Sequence, residues 1–168
     1  WYDHAKGDMR MFQTLIEEGK TRAARKGSKL VVGPWSHFPP GGRRFGKIDF
    51  GPEADLDLAA LDVRWFDYWL KGKTNGLDRE APVRIFIMGD NRWRDEASWP
   101  LKRARAEPLY LSGEGKANTP AGDGKLLEQR PERDGSDHYT YNPSDPVPTL
   151  FAPGNFTCAT DQRPLAER

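Results

Sequence analysis

The chain has 168 residues, 36% of them hydrophobic, which suits one domain or one domain with part of a second. Six Trp, five Tyr and eight Phe residues exclude a disordered solvating tail. The 26 basic and 25 acidic residues balance, which disfavours nucleic acid as a partner. No apolar run approaches the roughly 20 residues of a membrane helix, so no membrane partner is expected. The single cysteine, Cys158, excludes an internal disulfide, which favours a cytoplasmic location.

The hydrophobic pattern predicts helices and a strand over about the first 75 residues. Apolar residues at helical spacing predict a helix over Asp8–Glu18 with Asp8 as its N-cap, and the run Lys29–Gly33 predicts a buried parallel strand. Phe38–Pro52, rich in Gly, Pro and Arg, is predicted as a loop. A stripe at i, i+3, i+7 and i+8 predicts an amphipathic helix over Glu53–Lys71.

After Gly72 the pattern changes from helical to β. A polar linker is followed by three predicted strands, at Val83–Met88, Glu107–Leu111 and His138–Tyr141. No long helical pattern returns. The predicted fold class is therefore α/β followed by β, with one domain over residues 1–75 and a second over residues 76–168. Because the first residue is Trp rather than Met, we expect the chain to be part of a longer polypeptide.

Metal and cofactor chemistry find little support in the sequence. The three histidines are His4, His37 and His138, and no pair has metal-binding i, i+4 spacing. Neither a phosphate-binding loop nor a dinucleotide fingerprint is present. We therefore predict no cofactor and no metal.

Asp3 and His37 form the more promising pair. If Trp1–Tyr2 ends a strand, the first 37 residues form a β-α-β unit, whose right-handed crossover puts both strand ends on one edge of the sheet. Ligands bind at this edge in open α/β sheets. An Asp that accepts a hydrogen bond from a His ring leaves the other ring nitrogen as a general base. The alternative is that neither residue is catalytic: His37 forms structural hydrogen bonds in the Trp-Ser-His loop, and Asp3 forms a turn.

Several motifs, in order along nearly the whole chain, resemble one enzyme family. They are Trp1-Tyr-Asp3, Leu30-Val-Val-Gly-Pro-Trp-Ser-His37, Trp65-Phe-Asp-Tyr-Trp-Leu-Lys-Gly72, Val83-Arg-Ile-Phe-Ile-Met-Gly89, Trp93-Arg-Asp-Glu96, Trp99-Pro-Leu101, Asp145-Pro-Val-Pro-Thr149 and Asp161-Gln-Arg-Pro164. The family is the CocE/NonD serine hydrolases, of the cocaine esterase, α-amino-acid ester hydrolase, glutaryl acylase and X-prolyl dipeptidyl-peptidase type.

The resemblance implies a hydrolase of carboxylic ester or amide and peptide bonds. Asp3 and His37 match the triad Asp and His of the family, whose nucleophilic Ser lies upstream. None of the six serines here stands in a Gly-x-Ser-x-Gly elbow, so we expect the chain to be inactive by itself. The implied fold is the C-terminal part of an α/β-hydrolase domain that leads into the start of a jelly-roll β-sandwich.

Two other functions remain open from the residues alone. One is a non-catalytic β-rich binding module with an α/β-like lead, and the other is a metal-dependent hydrolase. The expected partner is a small-molecule ester, amide or peptide substrate, and a homo-oligomer is compatible with the sequence. The acyl substrate cannot be specified, because the nucleophile and the oxyanion hole are absent from these residues.

Overall fold

The computed structural model describes residues 3–35, 40–45, 47–119, 121–133, 135–148, 150 and 163–165. The chain divides into two compact units, one within residues 1–104 and the other from residue 105 onward. The first unit contains three α-helices and five strands, and the second contains two strands, all within these described residues.

Three helices carry the first unit: α1 (Asp3–Glu18), α2 (Arg22–Gly27) and α3 (Leu58–Lys71). Side-chain caps start two of them, because Thr21 accepts a hydrogen bond from the Ala24 amide and Asp57 accepts one from the Ala60 amide, at 3.0 and 2.9 Å. Helix α3 ends at Gly72, whose φ of 66° is the left-handed conformation that glycine adopts readily.

The strands form three small sheets. The strands are β1 (Leu30–Val32), β2 (Arg44–Phe45), β3 (Ile48–Asp49), β4 (Val83–Ile87), β5 (Arg92–Glu96), β6 (Tyr110–Ser112) and β7 (Lys125–Leu127). In the main sheet, of order β1-β4-β5, β1 is parallel to β4 and β5 is antiparallel to it. The pairs β2–β3 and β6–β7 are antiparallel two-stranded sheets.

The core of the first unit lies between α1 and one face of the main sheet. Its buried members are Phe12, Leu30, Val83 and Ile85, and Val83 has no exposed surface. Because side chains alternate along a strand, Arg84 and Phe86 of β4 point to the opposite face. On that face Phe86 is paired directly with Trp93 of β5, so the two faces of the sheet have different roles.

Most of the predicted helices and strands are present, but their bounds and some elements differ. Helix α3 begins at Leu58 rather than at Glu53, and the predicted loop Phe38–Pro52 contains the β2–β3 pair. Strand β6 spans Tyr110–Ser112 rather than Glu107–Leu111, and β7 was not predicted.

Helix α1 begins five residues before Asp8, which is therefore inside the helix and is not its N-cap. The predicted strand at His138–Tyr141 is wrong, because these residues form no ladder and Tyr139 and Tyr141 are strongly exposed. Strand β5 was not predicted, since four of its five residues are charged and ion pairs, rather than apolar burial, satisfy them.

The predicted boundary at residues 75/76 falls between α3 and β4. In the structure, β4 and β5 lie in one sheet with β1, and the compact units divide after Ala104. The first sheet thus joins strands from both sides of the predicted boundary. No helix in the described part of the chain is long and apolar enough to cross a bilayer.

Candidate functional site

Asp3, one of the two predicted catalytic residues, is the first residue of α1. A negative charge at this position suits the partial positive charge at a helix N-terminus. The sequence pattern placed Asp3 in a loop before the helix, whereas the structure places its backbone in the first helical turn. The position of its side chain lies outside what the structure describes, as do Trp1 and Tyr2, the predicted end of a preceding strand.

His37, the other predicted catalytic residue, lies in residues 36–39, outside the described ranges. The described chain before it runs as far as Trp35. Strand β1 ends at Val32, and Gly33, Pro34 and Trp35 follow at its carboxyl end. This is the edge of a parallel pair at which open α/β sheets place their ligands. The contact between Asp3 and His37 therefore stays a prediction.

Trp35, two residues before His37, packs directly on the backbone of Gly33. A Cβ atom built on Gly33 would lie 1.9 Å from Cζ3 of Trp35, far inside any real contact distance. Only glycine at position 33 therefore leaves room for this indole. The ring of Trp35 also lies 5.8 Å from the ring of Trp93, centroid to centroid, with the planes tilted by 46°.

Trp93 of β5 is held on several sides. Its indole Nε1 donates a hydrogen bond to the Glu53 carbonyl oxygen at 2.6 Å. The ring of Phe86 lies 5.3 Å away, edge to face, and the guanidinium carbon of Arg84 lies 5.5 Å from the indole centroid. Phe50 extends the cluster through an edge contact with Phe86 at 6.1 Å. We call Trp35, Phe50, Phe86 and Trp93 the aromatic cluster.

A buried carboxylate ends the same strand. Glu96 is only 8% exposed and forms ion pairs with Arg94 and Arg103. The hydrogen bonds from Arg103, followed by its positive charge and by Arg94, lower the pKa of Glu96 from 4.5 to about 2, against the opposing effect of desolvation. This group is therefore a structural anion that stays ionised near neutral pH and is unsuited to general acid–base chemistry there.

An open cleft of about 480 Å³ lies between β1, α3 and the start of β4. Lys29 at its wall donates hydrogen bonds to the carbonyl oxygens of Glu80 and Ala81, at 2.6 and 3.2 Å. Desolvation by burial lowers the pKa of the Lys29 ammonium, and the negative charge of Glu80 opposes this shift. These bonds tie the start of β1 to the segment before β4.

Metal ligation has no site among the described residues, where no three His, Cys, Asp or Glu side chains come together. His138 is exposed, and its backbone carbonyl accepts a hydrogen bond from the Asn118 side chain. Cys158 and His37 lie outside the described ranges.

The contact between Trp35 and Trp93 was missed by sequence reasoning. Both residues stand in motifs that the resemblance singled out, but 58 positions separate them and no local periodicity links them. One signal could have found this contact: each tryptophan comes shortly after an apolar strand, Trp35 after β1 and Trp93 after β4. Strand pairing through β4, which neither motif encodes locally, brings the two rings together.

Residues 75–164 match the protein family described as the X-Pro dipeptidyl-peptidase C-terminal non-catalytic domain. Trp93 and Glu96 therefore lie in the matched part, and Asp3, Trp35 and His37 lie before it.

The chain is also similar to named esterases. It is 36% identical to cocaine esterase from Rhodococcus sp. (strain MB1 Bresler), over an alignment that covers the whole chain and 29% of that enzyme. Two mycobacterial proteins, from Mycobacterium bovis and Mycobacterium tuberculosis, carry the name "putative serine esterase". Each of these two proteins is 30% identical to the chain, over an alignment that covers 73% of the chain and 18% of the relative. The chain thus spans less than a third of the length of these relatives.

Proposed function

The chain belongs to the CocE/NonD family, with an X-Pro dipeptidyl-peptidase C-terminal non-catalytic domain in residues 75–164, and from this premise we propose that it is part of a serine hydrolase. The reaction is cleavage of a carboxylic ester or an amide or peptide bond through a Ser-His-Asp triad. The observation that carries the proposal is the 36% identity to an esterase over the whole chain, including the region that holds Asp3 and His37.

His37 acts first as general base and then as general acid in this proposal. It takes the proton of a serine hydroxyl as the serine oxygen bonds to the substrate carbonyl carbon, and it returns the proton to the departing alcohol or amine. Water then attacks the acyl-enzyme, again through His37, and releases the carboxylic acid and the free serine. Asp3 accepts the hydrogen bond of the other imidazole nitrogen and stabilises the imidazolium.

The nucleophile lies elsewhere in the polypeptide. Two observations support this: no serine here stands in a Gly-x-Ser-x-Gly sequence, and the relatives are more than three times as long as the chain. The non-catalytic description of residues 75–164 supports assigning the chemistry to the preceding residues.

We further propose that residues 1–75 end an α/β-hydrolase domain and that residues 76–168 begin a jelly-roll domain. The start of the family match at residue 75 supports this division. We also propose a cytoplasmic location, which the single cysteine favours, and a small-molecule ester, amide or peptide substrate, which the family resemblance implies.

The test is activity in the complete polypeptide that carries the nucleophile. His37→Ala should reduce ester and amide turnover by several orders of magnitude, and Asp3→Asn by roughly 10⁴, because the wrong tautomer of His37 is then favoured. His138→Ala and Asp8→Asn are matched controls, since His138 and Asp8 are exposed residues outside the proposed triad. Turnover near that of the wild type in His37→Ala or Asp3→Asn would exclude the triad.

A further inference from the structure

Asn75 and Gly76 form an Asn-Gly pair in residues 72–82, the linker between α3 and β4. We propose that Asn75 is a deamidation site: the folded chain holds it unreacted, and opening of the linker converts it irreversibly to a mixture of aspartate and isoaspartate. The inference is independent of the proposed hydrolase, because it involves neither Asp3 nor His37 and its test measures mass and stability.

The reaction joins two neighbouring groups of the chain. The backbone nitrogen of Gly76 gives its proton to hydroxide or another base and attacks the side-chain carbon Cγ of Asn75. The new C–N bond forms, the bond from Cγ to Nδ2 breaks, and Nδ2 leaves as ammonia with a proton from solvent. Water then opens the resulting succinimide at either carbonyl, which yields aspartate or isoaspartate.

The attacking nitrogen belongs to a residue that does not obstruct it. Gly76 has φ 81° and ψ 2°, the left-handed conformation that glycine adopts readily. Among the described residues no backbone carbonyl accepts a hydrogen bond from the Gly76 amide. A Cβ built on Gly76 would meet nothing closer than Nη2 of Arg79, at 3.7 Å. Restraint of the reaction must therefore come from Asn75.

Both ends of the Asn75 side-chain amide are held. Nδ2 donates a hydrogen bond to the carbonyl oxygen of Arg64 in α3 at 2.7 Å, and Oδ1 accepts one from the Leu77 amide at 3.3 Å. The backbone carbonyl of Asn75 also accepts a hydrogen bond from Nη2 of Arg64, at 3.0 Å. Succinimide formation requires the side chain to turn towards the Gly76 nitrogen and Nδ2 to leave, so both side-chain bonds must break.

The rest of the linker keeps Asn75 in this position. The guanidinium of Arg64 forms an ion pair with Glu80, so one side chain of α3 holds the linker at two points. Lys29, just before β1, donates hydrogen bonds to the carbonyl oxygens of Glu80 and Ala81 at 2.6 and 3.2 Å. Asn75 is released only when these contacts open locally, and the rate of deamidation therefore reports that opening.

Neither product can restore the native contacts. In aspartate, a carboxylate oxygen takes the place of Nδ2, so two acceptors would face each other where Asn75 now donates to Arg64 at 2.7 Å. In isoaspartate, the main chain is longer by a methylene group, which displaces Leu77, a residue that is only 6% exposed. Opening followed by deamidation is therefore a one-way step that leaves the linker weakened.

The experiment ages the complete polypeptide at mildly alkaline pH, once in native buffer and once unfolded in urea. A short tryptic digestion in mildly acidic buffer releases Asn75 in the peptide Thr74–Arg79, in which mass spectrometry measures the exchange of NH₂ for OH. Asn91 and Asn118 are internal references in the same molecule, because both are exposed and neither precedes glycine.

Three variants separate the causes. Arg64→Ala removes the side-chain bonds to Asn75 and Glu80 and keeps the Asn-Gly pair, and Arg64→Gln replaces it if it does not fold. Arg22→Ala, at an exposed arginine of α2, is the matched control. Gly76→Ala is compared with the wild type in urea only, where the added methyl group hinders the attacking nitrogen and folding plays no part.

We expect Asn75 in the folded wild type to deamidate roughly 10- to 100-fold more slowly than in urea, because its hydrogen bonds must break first. In native buffer, Arg64→Ala should react about 3- to 10-fold faster than the wild type, and Arg22→Ala should match it. In urea, both variants should react at the wild-type rate. Gly76→Ala should be much slower there, as should Asn91 and Asn118.

The effect of the product is tested by substitution. Asn75→Asp should lower the melting temperature by several degrees, because it places a second acceptor against the Arg64 carbonyl. Asn91→Asp is the control, since Asn91 uses its side-chain oxygen, as acceptor for the Gly89 amide at 3.2 Å, and aspartate keeps that oxygen. Its melting temperature should stay close to that of the wild type.

Four results would each overturn the inference. They are equal rates at Asn75 in native buffer and in urea, an Arg64→Ala rate equal to that of the wild type in native buffer, a Gly76→Ala rate equal to that of the wild type in urea, and an Asn75→Asp variant as stable as Asn91→Asp. None of these measurements uses turnover, so failure of the proposed triad would leave them unchanged.

Discussion

Arg103 holds the carboxylate of Glu96 with both of its terminal guanidinium nitrogens, Nη1 at 2.7 Å from Oε2 and Nη2 in contact with Oε1. This bidentate geometry is the strongest arrangement available to such a pair. It joins the end of β5 to the segment that follows it, in which Trp99 and Leu101 pack against the core. The ion pair therefore helps to hold the segment after β5 against the core of the first unit.

Acid should weaken this unit through Glu96. The folded-state pKa of about 2 lies below the ordinary value of 4.5, so Glu96 contributes stability above its ordinary pKa and loses it as the pH falls towards 2. Glu96→Gln should lower the melting temperature at neutral pH by several degrees and reduce its dependence on pH in the acid range. Thermal unfolding followed by circular dichroism between about pH 2 and pH 7 measures both effects.

Asp95→Asn is the control for this prediction. Asp95 neighbours Glu96, is largely exposed and lies 3.8 Å from Arg84. Exposed pairs of this kind contribute little, so its melting curve should follow that of the wild type. Equal acid sensitivity in Glu96→Gln and the wild type would show that Glu96 is not the group responsible.

Two helical glycines should respond in opposite ways to alanine. Gly7 lies inside α1 with nothing within 4 Å of a built Cβ, so Gly7→Ala should stabilise the chain by roughly 0.5–1 kcal/mol. Gly27 ends α2, and a Cβ there would lie 2.1 Å from Cζ2 of Trp69, so Gly27→Ala must displace α3 and should destabilise the chain. Urea unfolding gives both free energies, and a stable Gly27→Ala variant would contradict the packing of Trp69.

The N-cap of α3 should be worth about 1 kcal/mol. Asp57→Ala removes the acceptor for the Ala60 amide, which lies 2.9 Å away. Asp62→Ala, at an exposed position inside the same helix, supplies the control and should change the free energy of unfolding by less than about 0.5 kcal/mol. If urea unfolding showed a larger loss of stability in Asp62→Ala than in Asp57→Ala, Asp57 would not be the N-cap of α3.

Local pattern explains which parts of the fold could be predicted. Helix α3 was predicted because its apolar stripe and the terminating Gly72 agree, although its start was placed at Glu53 instead of Leu58. Strand β1 was predicted because an apolar run between Gly27 and Pro34 suits a buried parallel strand. Strand β5 escaped because its charged side chains find partners that only the folded chain supplies, such as Arg103 for Glu96.

The sequence named candidate site residues, which stay predictions, and missed the aromatic contacts that precede His37 along the chain. Asp3 and His37 followed from chain order and from the resemblance. The link between Trp35 and Trp93 depends on the parallel register of β1 with β4, where Val32 is opposite Ile85, and on the hairpin that brings Trp93 beside Phe86. Such long-range contacts leave no periodic trace in the sequence.

The central claim is that Asp3 and His37 act as one catalytic pair, and a crystal structure of the complete polypeptide tests it most directly. The account predicts a carboxylate oxygen of Asp3 within about 2.6–3.2 Å of Nδ1 of His37, with Nε2 directed to a serine hydroxyl. Well-ordered Asp3 and His37 side chains on opposite faces of the sheet would contradict it.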